Sequence, residues 1–321
     1  MDFITEHSKR IDQALQSLDI PESPRNLYDP LRYFFTIGGK RIRPILTLLA
    51  AEKFGARSQE ALPAALAVEI FHNFSLIHDD IMDEAPVRRG KETVHKKWDT
   101  NIAILSGDVL LIKAYQQLNT YPEKIVKQLH TIFNQTAIEV CEGQQMDMDF
   151  ENMSAISRSS YLEMIKLKTS VLLGCALKLG AIIAGANETR QQQLYDYGIN
   201  MGIAFQIQDD LLDLYGDPSL VGKRVGGDII ANKNTLLMIL AKEEANSSQL
   251  LSIKKLILEE NTEVKIQGVL KLFEKLQVQE KTEKLMNSYY KTAQESLMKI
   301  EAKSNISALW ILTNTLIKRS Y

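Results

Sequence analysis

Apolar residues recur at intervals of three and four positions along most of the chain. The spacing is clearest in ILTLLAAEKFG (45–55), ALPAALAVEIFHNFSLIHDDIMDEA (61–85), NIAILSGDVLLIKAYQQL (101–118) and SVLLGCALKLGAII (170–183). This interval matches the 3.6-residue period of an α-helix, so each stretch predicts a helix with a buried face. Alternating apolar and polar runs, which are typical of strands, are scarce. The pattern therefore predicts an all-α protein.

Gly, Pro and charged residues interrupt these helical stretches at TIGGKRIRP (36–44), APVRRGKET (85–93) and YGDPSLVGKRVGGD (215–228). Such clusters are typical of loops. No low-complexity linker or internal repeat divides the chain, so we expect one domain over residues 1–321. Residues 241–300 alternate Lys, Glu and Leu, which predicts outer amphipathic helices with solvated faces and no site.

Composition narrows the classes of function. A chain of 321 residues with 45% hydrophobic content can bury a large core, and a net charge of -2 offers no general basic field for nucleic acid. Cys141 and Cys175 have the spacing of neither a metal site nor a disulfide framework, so a cytoplasmic location is expected. The opening MDFITEHSKR lacks the apolar core of a signal peptide. The apolar run 169–186 contains Lys178 and many small residues, which favours a core helix over a membrane span.

One predicted helix carries an unusual group of acids near its end. Asp79 and Asp83 are four residues apart, which places them about 40° apart on one helix face. His72 lies two turns earlier on nearly the same stripe, and Asp80 adds a third acid. Inward-facing carboxylates are costly unless a cation neutralises them. Oxygen ligands favour Mg²⁺, which proteins often hold with one or two carboxylates plus substrate phosphates.

The same spacing recurs 130 residues later in FQIQDDLLDLYGD (205–217). Asp209 and Asp213 are again four residues apart, Asp210 lies beside them, and Gln206 precedes Asp209 by three residues. A single DDxxD pattern is weak evidence, because a solvated acidic face explains it equally well. Two copies in apolar helices indicate a functional pair.

Basic residues accompany both acidic clusters. They are Lys40, Arg41 and Arg43 in one loop, Arg88 and Arg89 after the first cluster, and Lys223, Arg224 and Lys233 after the second. Each cation alone is more often a solvated surface charge. Together they describe a pocket for a polyanion, and diphosphate fits because Mg²⁺ bridges carboxylate and phosphate while Lys and Arg bind the remaining oxygens.

Ordered motifs over residues 36–235 resemble those of the trans-isoprenyl diphosphate synthases, or polyprenyl synthetases. The motifs are GGKRIRP, HNFSLIHDDIMD, RRGKETVH, AILSGDVLL, EGQQMDM, KLKTSVLL, FQIQDDLLD, GKRVGGD and NKNT, in that order. The resemblance implies a single bundle of long helices around a deep central cavity, usually as a homodimer. It also implies condensation of an allylic diphosphate with isopentenyl diphosphate, with release of pyrophosphate.

The resemblance assigns a role to each matching position. Three Mg²⁺ ions would be held by Asp79, Asp83 and Asp209, with Asp80, Asp210 and Asp213 in support. Of these supporting residues, Asp213 is also a candidate metal ligand. The allylic diphosphate would contact Arg88, Lys168, Lys223 and Lys233, and isopentenyl diphosphate would contact Lys40, Arg43, His72 and Arg89. Thr169 and Gln206 would line the reacting centre. The implied catalytic set is Asp79, Asp80, Asp83, Arg88, Lys168, Thr169, Gln206, Asp209 and Lys223.

Large side chains upstream of Asp79 would limit the length of the product. In the family, an aromatic residue at the fifth position upstream, here Phe74, accompanies short C15 or C20 products. An ideal helical wheel instead places Ser75 beneath Asp79, and Phe71 faces more nearly that way than Phe74. The resemblance therefore predicts a C15–C20 product, with a longer-chain synthase as the alternative.

Three other classes of protein share parts of this pattern. Glu69–His72 and Glu92–His95 both fit the Glu-x-x-His ligand pattern of di-iron helical bundles. A class I terpene cyclase also uses an Asp-rich helix with Mg²⁺, but its second metal motif typically mixes Asn, Ser and Glu. A non-catalytic partner subunit would be expected to lose acids or phosphate-binding cations, and the full set is present here.

Overall fold

The computed structural model of the chain describes residues 2–151, 153, 155–216, 225–300 and 308–317. Almost all regular structure in these ranges is helical, which confirms the all-α prediction. The helices are α1 (Asp2–Gln16), α2 (Arg25–Thr36), α3 (Ile42–Lys53), α4 (Ser58–Met82), α5 (Val94–Lys97), α6 (Thr100–Leu118), α7 (Glu123–Glu151), α8 (Arg158–Ile165), α9 (Val171–Ile183), α10 (Glu188–Tyr215), α11 (Gly227–Ile230), α12 (Leu236–Glu244), α13 (Ser247–Ile257), α14 (Thr262–Leu276), α15 (Val278–Met298) and α16 (Ala308–Ile317).

A short hairpin replaces part of the loop predicted at residues 85–93. Its strands β1 (Val87–Arg88) and β2 (Lys91–Glu92) are antiparallel, with Arg88 opposite Lys91. Arg89 and Gly90 form the two-residue turn with φ angles of 51° and 76°. Positive φ at both positions gives a turn whose twist matches that of paired strands.

The chain divides into two compact units. Unit 1 comprises Met1–Gln135 with Cys175–Leu194, and unit 2 comprises Thr136–Gly174 with Tyr195–Tyr321. Helices α7, α9 and α10 each contribute residues to both units. The single domain and the central cavity expected from the sequence stay predictions.

Within unit 1, α4 packs against both α3 and α6, and α1 contacts both α3 and α4. The middle of α4 is fully buried through Ala64, Ala65, Ala67, Val68 and Ile70. Small side chains there let the neighbouring helices approach closely. This packing fixes the C-terminal half of α4, which carries His72 and the first acidic cluster.

Helix α4 is long and apolar enough to cross a membrane by length and composition alone. However, 61% of its most apolar window is buried inside the protein. A buried helix of this kind is the normal core element of a folded domain.

Unit 2 has its own apolar core, to which α10, α12, α14 and α15 contribute. Leu211 is fully buried on α10, and Phe273 and Tyr290 are almost fully buried on α14 and α15. The C-terminal helices bury one face and expose charged residues on the other, as the sequence pattern predicts for α14 and α15.

A five-residue π-helical turn, Lys166–Ser170, joins α8 to α9. Each such turn inserts an extra residue into the helical ladder and is frequent at functional sites. Here Ser170 Oγ donates to the carbonyl oxygen of Ile165, five residues earlier.

Candidate active site

The first acidic cluster lies at the C-terminal end of α4. Asp79 and Asp80 belong to its last turn, and Asp83 follows as the cap residue, with its backbone N–H donating to the Asp79 carbonyl at 2.9 Å. The Asp79 side chain is 21% exposed and that of Asp80 only 2%. Asp83 is exposed. The cluster therefore offers both buried and accessible carboxylates at one helix end.

Arg88 of the hairpin holds the two adjacent aspartates. Its Nε donates to both carboxylate oxygens of Asp80, at 2.8 and 2.9 Å, and its Nη2 lies 3.5 Å from Asp79 Oδ2. Burial raises the pKa of Asp80, and the Arg88 contact opposes that effect. Arg88, predicted from the sequence as a diphosphate ligand, thus lies directly beside the predicted metal ligands.

A second group of predicted residues lies two turns back along α4. Arg43 Nη1 and His72 Nε2 are 3.2 Å apart. Arg89 donates from Nη1 to the carbonyl oxygen of Gly38. A Cβ at Gly39 would lie 2.6 Å from Arg89 Nη1, so the guanidinium lies directly against this glycine. The hairpin turn therefore brings Arg89 to the loop that carries Lys40 and leads into α3, where Arg43 lies.

His72 is neutral in this surrounding. Burial, and then the positive charges of Arg43, Arg89, Arg88 and Arg41, hold the pKa of His72 well below its usual value. A neutral imidazole has one nitrogen that accepts a hydrogen bond. His72 Nε2 therefore accepts from Arg43, which orients the guanidinium without cancelling its charge.

Arg41 differs from the two cations that flank it, and its assignment to a polyanion pocket is wrong. Its guanidinium is 2% exposed, with Nε at 2.8 Å from Asp12 Oδ1 and Nη1 at 2.5 Å from Glu69 Oε1. Two carboxylates already neutralise it.

The same contact argues against the di-iron alternative. The Glu69 carboxylate is bound by Arg41, and the His72 imidazole is in contact with Arg43. Glu92 is exposed on β2. Among the described residues, no group of three or more His, Cys, Asp and Glu side chains is arranged to hold a metal ion unaided.

The second acidic cluster lies on the last turns of α10. Asp210 is buried and accepts hydrogen bonds from Tyr161 Oη at 2.5 Å and from the Leu236 backbone N–H at 3.2 Å. Burial raises the pKa of Asp210 to about 7, against the lowering effect of both donors. Asp209 beside it is partly exposed. Asp210 thus ties α10 to α8 and α12 and holds Asp209 in place.

Asp213 supports the start of α11. Its Oδ2 accepts from the Asp228 backbone N–H at 3.1 Å, and its carbonyl oxygen accepts from the Gly226 N–H at 2.7 Å. Lys233 Nζ lies 3.9 Å from Asp228 Oδ1 and its side chain is 63% exposed. The predicted residue Lys223 lies outside the described residues.

The π-helical turn presents two further predicted residues. Thr169 Oγ1 lies 3.5 Å from Gln206 Oε1, and Lys168 Nζ donates to Asp147 Oδ2 at 2.6 Å. A Cβ at Gly143 on α7 would overlap the backbone of Lys168. Asp147 is a residue that the sequence reasoning missed, although it belongs to the matching motif EGQQMDM.

Aromatic rings surround Phe71 below the first acidic cluster. Phe71 is 1% exposed, with ring centroids 5.5 Å from Phe74 and 5.3 Å from Phe133. Phe74 also packs on His78 at 4.7 Å. Ser75 Oγ donates to the His72 carbonyl oxygen at 2.9 Å.

This arrangement combines oxygen ligands, guanidinium groups and aromatic side chains on long buried helices. The helical architecture is that of the isoprenoid synthase fold. The profile of the polyprenyl synthetase family matches residues 24–276. The chain belongs to this family, and it is a trans-prenyltransferase.

Three relatives illustrate the similarity. A geranylgeranyl diphosphate synthase of Methanosarcina mazei is 43% identical over 246 residues, which are 76% of each chain. A geranylfarnesyl diphosphate synthase of Natronomonas pharaonis is 37% identical over 260 residues, covering 75% of this chain and 76% of the relative. A crystal structure of geranylgeranyl pyrophosphate synthase is 44% identical, covers both chains completely and superposes with a TM-score of 0.94.

These findings confirm a short-chain prenyltransferase. The terpene cyclase and the non-catalytic subunit are set aside by the match to the family and by the named synthases. The individual roles of the site residues stay predictions.

Proposed function

We propose that the protein condenses isopentenyl diphosphate with an allylic diphosphate to give a C20 polyprenyl diphosphate. One observation carries the proposal: two separate groups of residues, each containing an arginine from another element, lie along nearly one face of α4. Asp79, Asp83 and Arg88 form one group, and Arg43 and His72 belong to the other. Seven residues separate His72 from Asp79, or about 10 Å along a helix. Two diphosphates held at that separation are suited to a reaction between their attached carbon chains.

Mg²⁺ fits the donor set. Asp79 and Asp83 offer only carboxylate oxygens, one turn apart, and Asp79 is accessible enough to reach an ion. We propose Asp79, Asp83 and Asp209 as the ligands of three Mg²⁺ ions, with Asp80, Asp210 and Asp213 in support. Such ions supply charge neutralisation of the diphosphate leaving group. The lack of a complete protein-only cluster among the described residues agrees with Mg²⁺ sites that substrate phosphates complete.

The chain's own residues would orient the reactants and exclude water. Arg88 and Lys168, with Lys223 and Lys233, would bind the allylic diphosphate, while Lys40, Arg43, His72 and Arg89 would bind isopentenyl diphosphate. Fixed cations stabilise the charge that develops as the allylic carbon–oxygen bond breaks. The second substrate's double bond then attacks the allylic carbon to form the new carbon–carbon bond, and the resulting carbocation passes a proton to the departing pyrophosphate. Thr169 and Gln206 would line the reacting centre, and apolar helices would keep water from the allylic carbocation.

Two lines of support favour a C20 product. Two of the three relatives described above are named geranylgeranyl synthases. Phe74 and the buried Phe71 lie one and two turns below Asp79 and are suited to close the space for the growing chain. The geranylfarnesyl synthase keeps a longer product as the alternative.

We further infer a homodimer in the cytoplasm. Helix α6 exposes Ile104, Leu105 and Ile112, the last two at 58% each, and such a face is suited to contact another subunit. Cys141 and Cys175 form no disulfide, which agrees with a reducing compartment. Sedimentation of the wild type and of Leu105→Lys tests the dimer, which the added charge should dissociate.

The test of the reaction is direct. Purified protein is incubated with isopentenyl diphosphate and, separately, with C5, C10 and C15 allylic diphosphates, with Mg²⁺ or with EDTA. We expect C20 diphosphate from each starter, no product in EDTA, and a loss of at least about 100-fold in Asp79→Asn. Asp29→Asn, which changes a partly exposed acid on α2, is the matched control. Absence of any chain extension in the presence of Mg²⁺ would contradict the proposal.

A further inference from the structure

A largely buried charge network joins Arg41, the residue before α3, to α1 and α4. Arg41 binds Glu69 of α4 at 2.5 Å and Asp12 of α1 at 2.8 Å. The side chains of Arg41 and Glu69 are 2% and 5% exposed, whereas Asp12 is 43% exposed. The proposed reaction gives this network no chemical step, because both its buried members are shielded from any substrate.

The Arg41–Glu69 contact is one of two successive contacts between the start of α3 and α4. Arg41 contacts Glu69. Arg43 lies two residues after Arg41 and contacts His72, which lies three residues after Glu69. Glu69 and His72 are therefore about one turn apart on the same side of α4. The contact between Arg41 and Glu69 therefore also fixes the position of Arg43 relative to His72.

The backbone at Arg41 needs such support. Arg41 adopts φ 52° and ψ 29°, a left-handed conformation that is rare for a non-glycine residue. Residues persist in sparsely populated conformations when the surrounding structure fixes them. The two carboxylates that bind the Arg41 guanidinium supply that fixation. The turn at Arg41 lies between Lys40 and Arg43, the two cations proposed to bind isopentenyl diphosphate.

Glu69 also supplies negative charge to a crowded group of arginines. Arg41, Arg43, Arg88 and Arg89 all act electrostatically on His72. Glu69 acts on Arg89 as well as on Arg41. A buried carboxylate among these cations lowers their mutual repulsion before a diphosphate arrives.

We propose that the Arg41–Glu69 pair, tied to α1 by Asp12, is a positioning pair that sets the affinity for isopentenyl diphosphate and leaves the affinity for the allylic diphosphate unchanged. This inference rests on the proposed function, which places isopentenyl diphosphate at Lys40 and Arg43. It gives the first helix, which carries no family motif, a place in the substrate site.

Net stability is a weaker explanation of the pair. Replacing a buried ion pair by apolar side chains of similar volume is often neutral or stabilising. A pair whose only role was to hold the fold would be replaceable in this way, whereas a positioning pair would not. This difference supplies the test.

The first experiment measures steady-state kinetics with each substrate varied in turn. In Glu69→Gln, we expect the KM for isopentenyl diphosphate to rise about tenfold or more, the scale of one lost charge-assisted hydrogen bond. The KM for the allylic diphosphate and kcat should stay within about threefold, since a factor of this size is well under the 1.4 kcal/mol of a tenfold change. Asp29→Asn, which removes a partly exposed acid paired with Arg32, should change none of these values.

The second experiment guards against misfolding, because Glu69→Gln leaves a buried guanidinium without its counter-charge. The double variant Arg41→Met with Glu69→Leu removes both charges and keeps the volume. It should unfold at or near the wild-type temperature and retain the raised KM for isopentenyl diphosphate. A folded double variant with the wild-type KM would overturn the inference, as would an equal rise in the KM of both substrates.

Arg43→Ala separates this inference from the function on which it rests. A raised KM for isopentenyl diphosphate in Arg43→Ala, together with a wild-type value in the folded double variant, would overturn the positioning pair and leave the proposed function standing. No use of isopentenyl diphosphate by the wild type would overturn both.

Discussion

Two arginines of the same segment, Arg41 and Arg43, have different roles because their partners differ. Arg41 and Arg43 stand two positions apart in the chain, yet one is neutralised by carboxylates and the other contacts a neutral imidazole. A carboxylate partner neutralises a guanidinium, whereas a neutral imidazole does not. The chemistry of each residue follows from its partner.

The first prediction concerns the pH dependence of stability. The pKa of His72 in the folded protein is lowered by burial and by Arg43, so the folded state resists its protonation. The stability that neutral His72 contributes is complete above pH 6.5 and declines as the pH falls below that value, by at most about 1.4 kcal/mol per pH unit. Denaturant unfolding of the metal-free protein at pH 7.5 and pH 5 measures it.

His72→Gln is the matched variant, because the amide oxygen accepts from Arg43 and does not titrate in this range. We expect its free energy of unfolding to fall less than that of the wild type between pH 7.5 and pH 5. Equal losses in the two proteins would show that His72 is not the group concerned.

A second prediction concerns Tyr161, whose hydroxyl donates to the buried Asp210. Tyr161→Phe leaves that carboxyl with one donor fewer, and we expect a loss of about 1–3 kcal/mol in the free energy of unfolding. Tyr115→Phe removes an exposed hydrogen bond to Asn134 and should cost less than about 0.5 kcal/mol. Similar losses in the two variants would contradict the role given to Tyr161.

At the scale of elements, helices meet at glycines where the site needs a close approach. Gly143 on α7 and Gly202 on α10 both contact the π-helical turn, at Lys168 and Ser170. A side chain at either glycine would push against backbone or a buried hydroxyl. The turn, and with it Lys168 and Thr169, therefore depends on glycines on two other helices.

Gly143→Ala should displace the turn, because the new Cβ would overlap the backbone of Lys168. We expect lower thermal stability and a loss of allylic diphosphate binding, measured by calorimetric titration at a temperature where the variant is folded. Gly180→Ala is the control, since its Cβ would overlap the backbone of Thr47, which is no part of the proposed site. It should lose stability and retain binding; equal loss of binding in both would refute the specific role of Gly143.

At the scale of the whole molecule, product length follows from how far the growing chain extends below Asp79. Phe74→Ala opens space there, and we expect products longer by one or more C5 units, identified by chromatography. Phe54→Ala removes another partly buried ring, at the end of α3, and should leave the product unchanged. Unaltered length in both Phe74→Ala and Phe71→Ala would disprove the aromatic limit.

Local patterns predicted a large part of this molecule. The helical period placed α4 and α10 with their aspartates, because burial of one face repeats every 3.6 residues. The family motifs assigned Thr169 and Gln206 to one centre, and the structure places Thr169 Oγ1 3.5 Å from Gln206 Oε1.

The remaining features depend on residues far apart in the chain. The role of Arg41 depends on Glu69, 28 residues away, and on a left-handed backbone that nothing in GGKRIRP specifies. The pairing of Lys168 with Asp147 spans 21 residues and two helices. Such contacts are set by tertiary packing, so the sequence pattern could not reveal them.

The central claim is that aspartates from both acidic clusters hold metal ions on a diphosphate. Its most direct test is a crystal structure with Mn²⁺ and a non-cleavable thio-analogue of farnesyl diphosphate, using anomalous scattering to locate the metal. The account predicts manganese at Asp79 and Asp83 and at Asp209, each ion in contact with diphosphate oxygens. Manganese absent from either cluster, with the analogue bound elsewhere, would contradict it.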